Sequence, residues 1–498
     1  MAALSGKVVQ HTLVAKCCQQ NRKFSPQYQQ DHVDLIRHDF LSPLVGKLAW
    51  NGNSTMQPCA LSKSNRGNFY CNAAPSNTAV SSGEKTDFLK LQNGSDIRGV
   101  AVAGVEGEPV NLTEPVTEAI AAAFAAWLLE KKKLDGSRSL RVSIGHDSRI
   151  SAKKLQDAVS RGLTRAGADV IQYGSVVYFS MLCHYWVYQG KVLEPLGAIT
   201  SGSQFLEPDG MFPNHIPNPE DKTAMKAITQ AVLDNKADLG IIFDTDVDRS
   251  AAVDSSGHEF NRNRLIALLS AIVLEEHPGT TIVTDSVTSD GLTAFIEKKL
   301  GGKHHRFKRG YKNVIDEAIR LNSVGEESHL AIETSGHGAL KENHWLDDGA
   351  YLMVKLLNKL ALAKASGKGG GSKVLTDLVE GLEEPAVAVE LRLKIDQYHP
   401  DLKGGSFREY GEAVLKHLET TIDSDTNLQK ALVNYEGVRA SGYGGWFLLR
   451  LSLHDPVLPL NIEAPSNEEA VKLGLVVFNA VKEFTALDTS GVTKFIQV

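Results

Sequence analysis

Residues 239–250 read LGIIFDTDVDRS: a short apolar run, then three aspartates at alternate positions, then an arginine. The run predicts a buried strand. Side chains alternate sides along an extended segment, so Asp244, Asp246 and Asp248 can converge on one point as the strand ends. Three carboxylates without cysteine or histidine form a hard oxygen donor set. Such a set suits Mg²⁺, whose octahedron is completed by water or a phosphate oxygen. A calcium-binding EF-hand loop fits badly, because Arg249 stands where it needs glycine and Ser255 where it needs glutamate. An aspartyl-nucleophile phosphatase stays open at this point, with Asp244 attacking phosphate, Asp246 as acid and base, and Asp347 and Asp348 completing the metal site.

The same pattern of strand then polar loop extends along the chain. GTTIVTD (279–285) starts another unit, HLAIE (329–333) precedes TSGHGA, and GGWFLLR (444–450) precedes LSLHDP. Upstream, LTEPVTEAIAAAFAAWLLEKKK (112–133) predicts an amphipathic helix with Thr113 at its N-cap. LRVSIG and ADVIQYG predict strands flanking the helix LQDAVSRGLTRAG, with Leu155, Val159 and Leu163 inward. Strands alternating with helices predict an α/β chain with mostly parallel sheets, and polar loops at the carboxyl ends of strands are candidate sites. SGKGGGSK (366–373) reads as a flexible loop without the signature of a phosphate-binding P-loop. SVVYFSMLCHYWVYQG (175–190) is too short to span a bilayer and reads as a buried filler strand.

At 498 residues the chain is long enough for several domains. Its formal net charge of -6 gives no electrostatic case for nucleic acid or an anionic membrane. Residues 1–84 differ from the rest. They carry Lys7, Lys16, Arg22, Lys23, Arg37, Lys47, Lys63 and Arg66 against only Asp31, Asp34 and Asp39 before Glu84. This basic, Ser- and Asn-rich composition reads as a plastid transit segment or a disordered tail. Cys17, Cys18, Cys59 and Cys71 lie in it, which leaves Cys183 alone and excludes a disulfide framework or thiolate zinc site in the remainder.

Two further loops bear on chemistry. ETSGHG (333–338) offers the carboxylate of Glu333, the hydroxyls of Thr334 and Ser335 and the imidazole of His337 on a glycine-containing turn. That set suits bidentate hydrogen bonding to vicinal sugar hydroxyls. RLSLHDP (450–456) places Arg450, Ser452 and His454 at alternating positions, which suits a terminal phosphate.

With these loops in this order, the chain resembles the α-D-phosphohexomutases, which include phosphoglucomutase, phosphomannomutase and phosphoglucosamine mutase. The resemblance rests on GSDIRGVA (94–101), GHDSR (145–149), PDGMFPNHIPNPE (208–220), DTDVDRS, GYKNVI (310–315), ETSGHG, DDGAY and WFLLRLSLHDP followed by IEA. It implies a four-domain architecture with doubly wound mixed sheets in domains 1–3 and an α+β C-terminal domain. Divided accordingly, residues 85–190 form domain 1, 191–258 domain 2 with the metal loop, 259–372 domain 3 and 373–498 domain 4. The resemblance also implies transfer of phosphate between C1 and C6 of a hexose phosphate, through a phosphoserine and glucose 1,6-bisphosphate. Asp244, Asp246 and Asp248 then match the Mg²⁺ ligands, and Arg249 a phosphate-side contact. Glu333, Ser335 and His337 match the sugar loop, and Arg450, Ser452 and His454 the distal phosphate loop. Arg98 matches the cleft arginine of domain 1, and Lys312 a lysine near the cleft.

The chain departs from the family in two places. The Thr-Ala-Ser-His-Asn-Pro type loop that carries the catalytic serine is missing, and domains 1 and 2 are expected to be truncated around residues 175–190. Ser201 and Ser203 in AITSGSQ fall in a domain 2 strand and loop by position. Loss of such a nucleophile removes on the order of 10⁶-fold in rate. In the distal loop, Leu453, His454 and Asp455 replace Gly, Thr and Glu of RPSGTEP, and Pro459 occupies a later arginine position. The expectation is a plastid phosphohexomutase-type chain of impaired turnover, with a non-catalytic sugar-phosphate-binding splice variant and the aspartyl phosphatase as alternatives.

Overall fold

The computed structural model describes residues 88–93, 96–104, 109–132, 140–175, 193–207, 209–367, 373–402, 405–452 and 455–497. The basic N-terminal segment, residues 176–190 and His454 therefore lie outside the described residues. The chain forms two compact units, one of Met1–Ile144 with Lys153–Gln172, the other of Gly145–Ala152 with Tyr173–Val498.

In the first unit β1 (Gln92–Asn93) pairs antiparallel with β2 (Asp96–Ile97). Helix α1 (Glu114–Lys132) begins directly after Thr113. Strand β3 (Leu140–His146), α2 (Ala152–Arg165) and β4 (Ala168–Ser175) follow, with β3 beside β4. Trp127 and Leu128 of α1 meet Leu163 of α2 and Leu140 of β3 in a small core. The helices approach so closely that a Cβ on Gly162 would lie 2.3 Å from the Glu118 carbonyl oxygen. Arg161 bridges them, donating to Glu114 at 2.7 Å and to Glu118 at 2.5 Å.

The second unit opens with α3 (Lys222–Asn235), whose N-cap Asp221 accepts from the Thr223 and Ala224 amides. Next come β5 (Leu239–Phe243), β6 (Ser250–Asp254) and β7 (Glu259–Phe260), an antiparallel sheet. Helix α4 (Arg262–Glu276) is buried from Leu265 to Leu274 and forms the centre of the largest core. Then follow β8 (Thr281–Thr284), α5 (Asp290–Ala294), β9 (Lys303–Arg306), α6 (Tyr311–Ser323), β10 (Ser328–Ile332), β11 (Gly338–Leu340), α7 (Gly349–Ala365) and α8 (Lys373–Leu378). The sheet order is β11-β10-β8-β9. The remainder comprises β12 (Val387–Lys394), α9 (Phe407–Asp423), β13 (Leu428–Lys430), β14 (Val438–Gly442), β15 (Gly445–Leu449), β16 (Val457–Ala464), α10 (Asn467–Val481) and α11 (Ser490–Ile496). Its antiparallel sheet has the order β12-β16-β15-β14-β13 and shares a core with α9 and α10.

The sheets are mixed, not mostly parallel. Strand β8 runs parallel to both β9 and β10, whereas β10 and β11 pair antiparallel, as do β5 and β6. LGIIF and SAAVD are joined by a polar loop too short for a crossover helix, and adjacent strands so joined must run antiparallel. The consequence reaches the candidate site. Residues 244–249 close a hairpin whose last pair is Phe243 with Ser250. Residues 333–337 close one at Ile332 and Gly338, and the Arg450 loop joins β15 to β16 beyond Leu449 and Leu460. All three candidate loops are hairpin loops, held by strands at both ends.

Candidate functional site

In the first of these loops, one ligand oxygen from each of Asp244, Asp246 and Asp248 lies within 4.8 Å of the others. Arg249 holds Asp244 with both its backbone and its side chain: the amide donates to Oδ1 at 3.1 Å and Nε to Oδ2 at 2.8 Å. The same guanidinium donates to Asn218 at 3.2 Å, which ties the NPE segment to the loop. Burial pushes Asp246 up, with the Asp244 charge adding to it. Burial also pushes Asp248 up to about 8, against the opposing charge of His337 and with the charges of Asp244, Asp246 and Asp347 adding to the rise. Asp248 Oδ1 is buried and accepts no hydrogen bond. Between these acids Val247 takes φ 65° with its side chain buried. For a β-branched residue this conformation is strained by roughly 1–3 kcal/mol, and it turns the two flanking carboxylates in the same direction.

The second hairpin loop packs on the first. Arg249 and His337 form a backbone bridge, and the Ser250 amide donates to the Gly336 carbonyl at 3.4 Å. Gly336 has φ 96°, and a Cβ there would come within 2.8 Å of the Ser250 oxygen, so the close approach needs glycine. His337 Nδ1 lies 2.8 Å from Asp347 and 3.6 Å from Asp248. Burial alone would lower its pKa. The Asp347 hydrogen bond, with the charges of Asp347, Asp248 and Glu333, instead carries it to about 9. Glu333 accepts the Gly310 amide at 2.5 Å and lies 3.4 Å from Ser335 Oγ. Burial, then Asp285, pushes Glu333 up to about 7.

In the third loop the Arg450 amide donates to Pro459 at 3.1 Å, and the Ser452 hydroxyl accepts from the Asp455 amide at 3.2 Å. Arg450 Nε is buried without a partner. Lys312, on the first turn of α6, pairs with Asp316 one turn on. Arg98 belongs to the other unit, where it pairs with Asp96 at 2.7 Å. Asp348 caps α7 by accepting the Tyr351 amide, and Asp347 is engaged by His337 and the Gly338 amide.

A cavity of about 610 Å³ lies against β5 and α3, and Ser201 and Ser203 line it. A smaller one of about 120 Å³ opens onto Asp244 and Thr245. Volume favours the first, but the second borders the three-carboxylate loop through Asp244, and charge chemistry is the better guide to function here.

Family profiles match along the chain. "Phosphoglucomutase/phosphomannomutase, alpha/beta/alpha domain I" matches residues 89–190, domain II residues 176–257 and domain III residues 261–382. The chain belongs to the α-D-phosphohexomutase family. A phosphomannomutase/phosphoglucomutase of Pseudomonas putida is 30% identical to this phosphohexomutase-family chain over 275 residues, which cover 54% of the chain and 52% of the relative. The chain thus spans about half the length of that relative. Phosphohexose mutases of Xanthomonas campestris are 26% identical over 397 residues, 76% of this chain and 77% of theirs. A crystal structure of a family protein from Burkholderia thailandensis shares the fold at TM-score 0.57 and 21% identity, covering 77% of this chain and 96% of that one.

One residue near the loops escaped the sequence reading, and another was read in a different role. Arg309 precedes Gly310 at the mouth of α6, and only its place in FKRGYK, beside the GYKNVI motif, pointed to it. Asp347 holds His337, whereas the sequence suggested it only as a metal ligand in a phosphatase.

Proposed function

We propose that this family member binds a hexose phosphate and Mg²⁺, and that it descends from enzymes moving phosphate between C1 and C6 with glucose 1,6-bisphosphate as intermediate. The observation that carries the reading is the convergence of three carboxylates on one point, where the buried Asp248 Oδ1 accepts no hydrogen bond and meets Arg249 Nε only loosely, at 3.8 Å. A buried anionic cluster of this kind is costly without a cation, and an all-oxygen set at this spacing fits Mg²⁺. Asp244, Asp246 and Asp248 would hold the ion, which would supply neutralisation of phosphoryl oxygens. Glu333 and Ser335 accept and share hydroxyl protons of the sugar, with His337 oriented by Asp347, and Arg450 and Ser452 take the terminal phosphate. The phosphatase alternative draws no support from Asp244, whose two oxygens are both held by Arg249, or from Asp348, which caps a helix.

Turnover is proposed to be impaired, because the chain has no serine loop of the family type and Ser201 and Ser203 line the other cavity. The decisive assay is conversion of glucose 1-phosphate to glucose 6-phosphate by the full chain with Mg²⁺ and catalytic glucose 1,6-bisphosphate. The expected outcome is saturable sugar-phosphate binding with turnover near background. Turnover at ordinary enzymatic rates would sink the impairment, and absence of binding would sink the whole reading. We propose also that residues 1–84 direct the chain to the plastid stroma, on the strength of their basic, acid-poor composition. Uptake by isolated chloroplasts of a fluorescent protein carrying residues 1–84 tests it.

A further inference from the structure

The distal loop supplies one arginine, because Pro459 stands where the resemblance calls for a second. A terminal phosphate dianion held by a single guanidinium is only half neutralised. Arg450 itself is waiting for a partner. Its side chain is half-buried, Nε has no hydrogen-bond acceptor, and no carboxylate among the described residues lies within ion-pair distance.

Another guanidinium reaches the same sheet, at Glu390 of β12, which pairs with β16. Arg309 reaches from the loop between β9 and α6, where its amide donates to Glu436 at 2.9 Å and the next amide, Gly310, donates to Glu333. Its one described ion pair is loose, with Nη1 at 3.8 Å from Glu390. Glu390 in turn is held more closely by Arg392, at 3.1 Å. Burial would raise the Glu390 carboxyl, but the positive charges of Arg309, Arg392 and Arg450 together hold it below its usual range, and burial with the Arg309 charge lowers Arg450. Of the other acids on this side, Glu436 accepts from Ser286 and the Arg309 amide, while Asp285 accepts from Thr334 through Oδ2, keeps a buried Oδ1 without a hydrogen bond, and acts on Arg309 by charge, as Glu333 does, with no ion-pair contact to it among the described residues. Two half-buried guanidiniums that repel one another, with neither closely paired, suit a bridging anion with several oxygens.

We propose that Arg309 supplies the second guanidinium for the terminal phosphate, replacing from the β9–α6 loop the arginine that Pro459 displaces in β16. The proposal rests on the hexose-phosphate reading above. It also sets polarity: the backbone beside Arg309 touches Glu333, so the phosphate clamp and the sugar loop share one short stretch of chain.

Calorimetric titration of the full chain with glucose 1-phosphate, and separately with inorganic phosphate, tests this. Arg309→Ala is expected to weaken both ligands roughly ten- to hundredfold, the scale of lost charge-assisted hydrogen bonds. Arg309→Lys should restore part of the loss, because it keeps the charge without the planar fork. Glu390→Gln, which frees Arg309 from its loose partner, should tighten phosphate binding severalfold, and it decides the matter if Arg309→Ala fails to fold. Sugar-phosphate binding that is unchanged within twofold in Arg309→Ala, or not tightened in Glu390→Gln, overturns the clamp while leaving the functional reading intact. Arg309-dependent binding of inorganic phosphate without glucose 1-phosphate binding supports the clamp and removes the sugar. Binding of neither removes both.

Discussion

Two clusters of charge in the second unit are wired in opposite ways. Around Arg439 every group is matched. Its guanidinium donates to the Ser286 and Thr288 carbonyls at 2.9 and 3.1 Å and to Asp290 at 2.9 Å, and lies 3.6 Å from the centroid of Trp446. Arg306 reaches the same Asp290 at 2.8 Å, and the Trp446 indole donates to Glu463 at 3.0 Å. Around Asp248, acids face acids, and one buried oxygen accepts no hydrogen bond and meets Arg249 only at 3.8 Å. Both clusters distort proton affinities, with burial pulling Arg439 down to about 10 as surely as it lifts Asp248. The displaced pKa therefore does not separate scaffold from site. Charge matching is the better contrast: a network that closes on itself joins elements, and a cluster of like charges leaves room for a counter-ion.

The largest expected effect comes from breaking the closed network. Arg439→Ala should lower unfolding free energy by about 3–5 kcal/mol, because it strands the Ser286 and Thr288 carbonyls in a buried setting and removes one of the two guanidiniums on half-exposed Asp290. A urea midpoint shifted by the equivalent of less than 1 kcal/mol would erase the contrast. Next is the ion. Mg²⁺ at a hundred times its dissociation constant should raise stability by about 2.7 kcal/mol. Asp248→Asn should abolish that gain while making the metal-free protein slightly more stable, a sign opposite to Arg439→Ala.

The pH profile sharpens the same point. Asp248 has a folded value of about 8 against an unfolded one of about 4, so in chelator its contribution is fully present below about pH 4 and lost as pH rises through about 8. His337, at about 9 against an ordinary value near 6.5, acts in the same direction, and its share is lost as pH rises through about 9. Thermal melts in chelator should therefore fall across this window, less steeply in Asp248→Asn and less steeply with Mg²⁺. A slope unaltered by that substitution would contradict the assignment. The smallest effect is expected at Ser335, whose hydrogen bond to Glu333 is long. Ser335→Ala should change stability by less than about 1 kcal/mol yet weaken glucose 1-phosphate measurably.

Much of this was legible from local pattern. The apolar runs LGIIF, TIVT, HLAI and GWFLL became β5, β8, β10 and β15 within a residue or so, because a buried strand needs only a short apolar run bounded by turn residues. Convergence of the three aspartates follows from strand alternation and was readable too. Strand direction was not, since alternating elements imply crossovers, whereas DTDVDR and TSGH are too short to be anything but hairpin loops. Glu390 and Glu436 were beyond reach because β12 and the approach to β14 bring them from far along the chain. Arg309 sits outside any periodic segment, and its neighbourhood exists only after two sheets have formed.

Hairpin closure of the three loops has a consequence for how the site assembles. Each loop joins strands that are neighbours in sequence, so the entropy lost in fixing it is that of a short ring, and its strands find each other without waiting for distant segments. Strained Val247 is held by such a ring. A parallel crossover would make each loop hostage to a remote strand. Here the geometry of the carboxylates and of the 333–337 loop depends on local contacts, which lets that geometry persist through insertions and losses elsewhere in the chain that would dismantle loops built on crossovers.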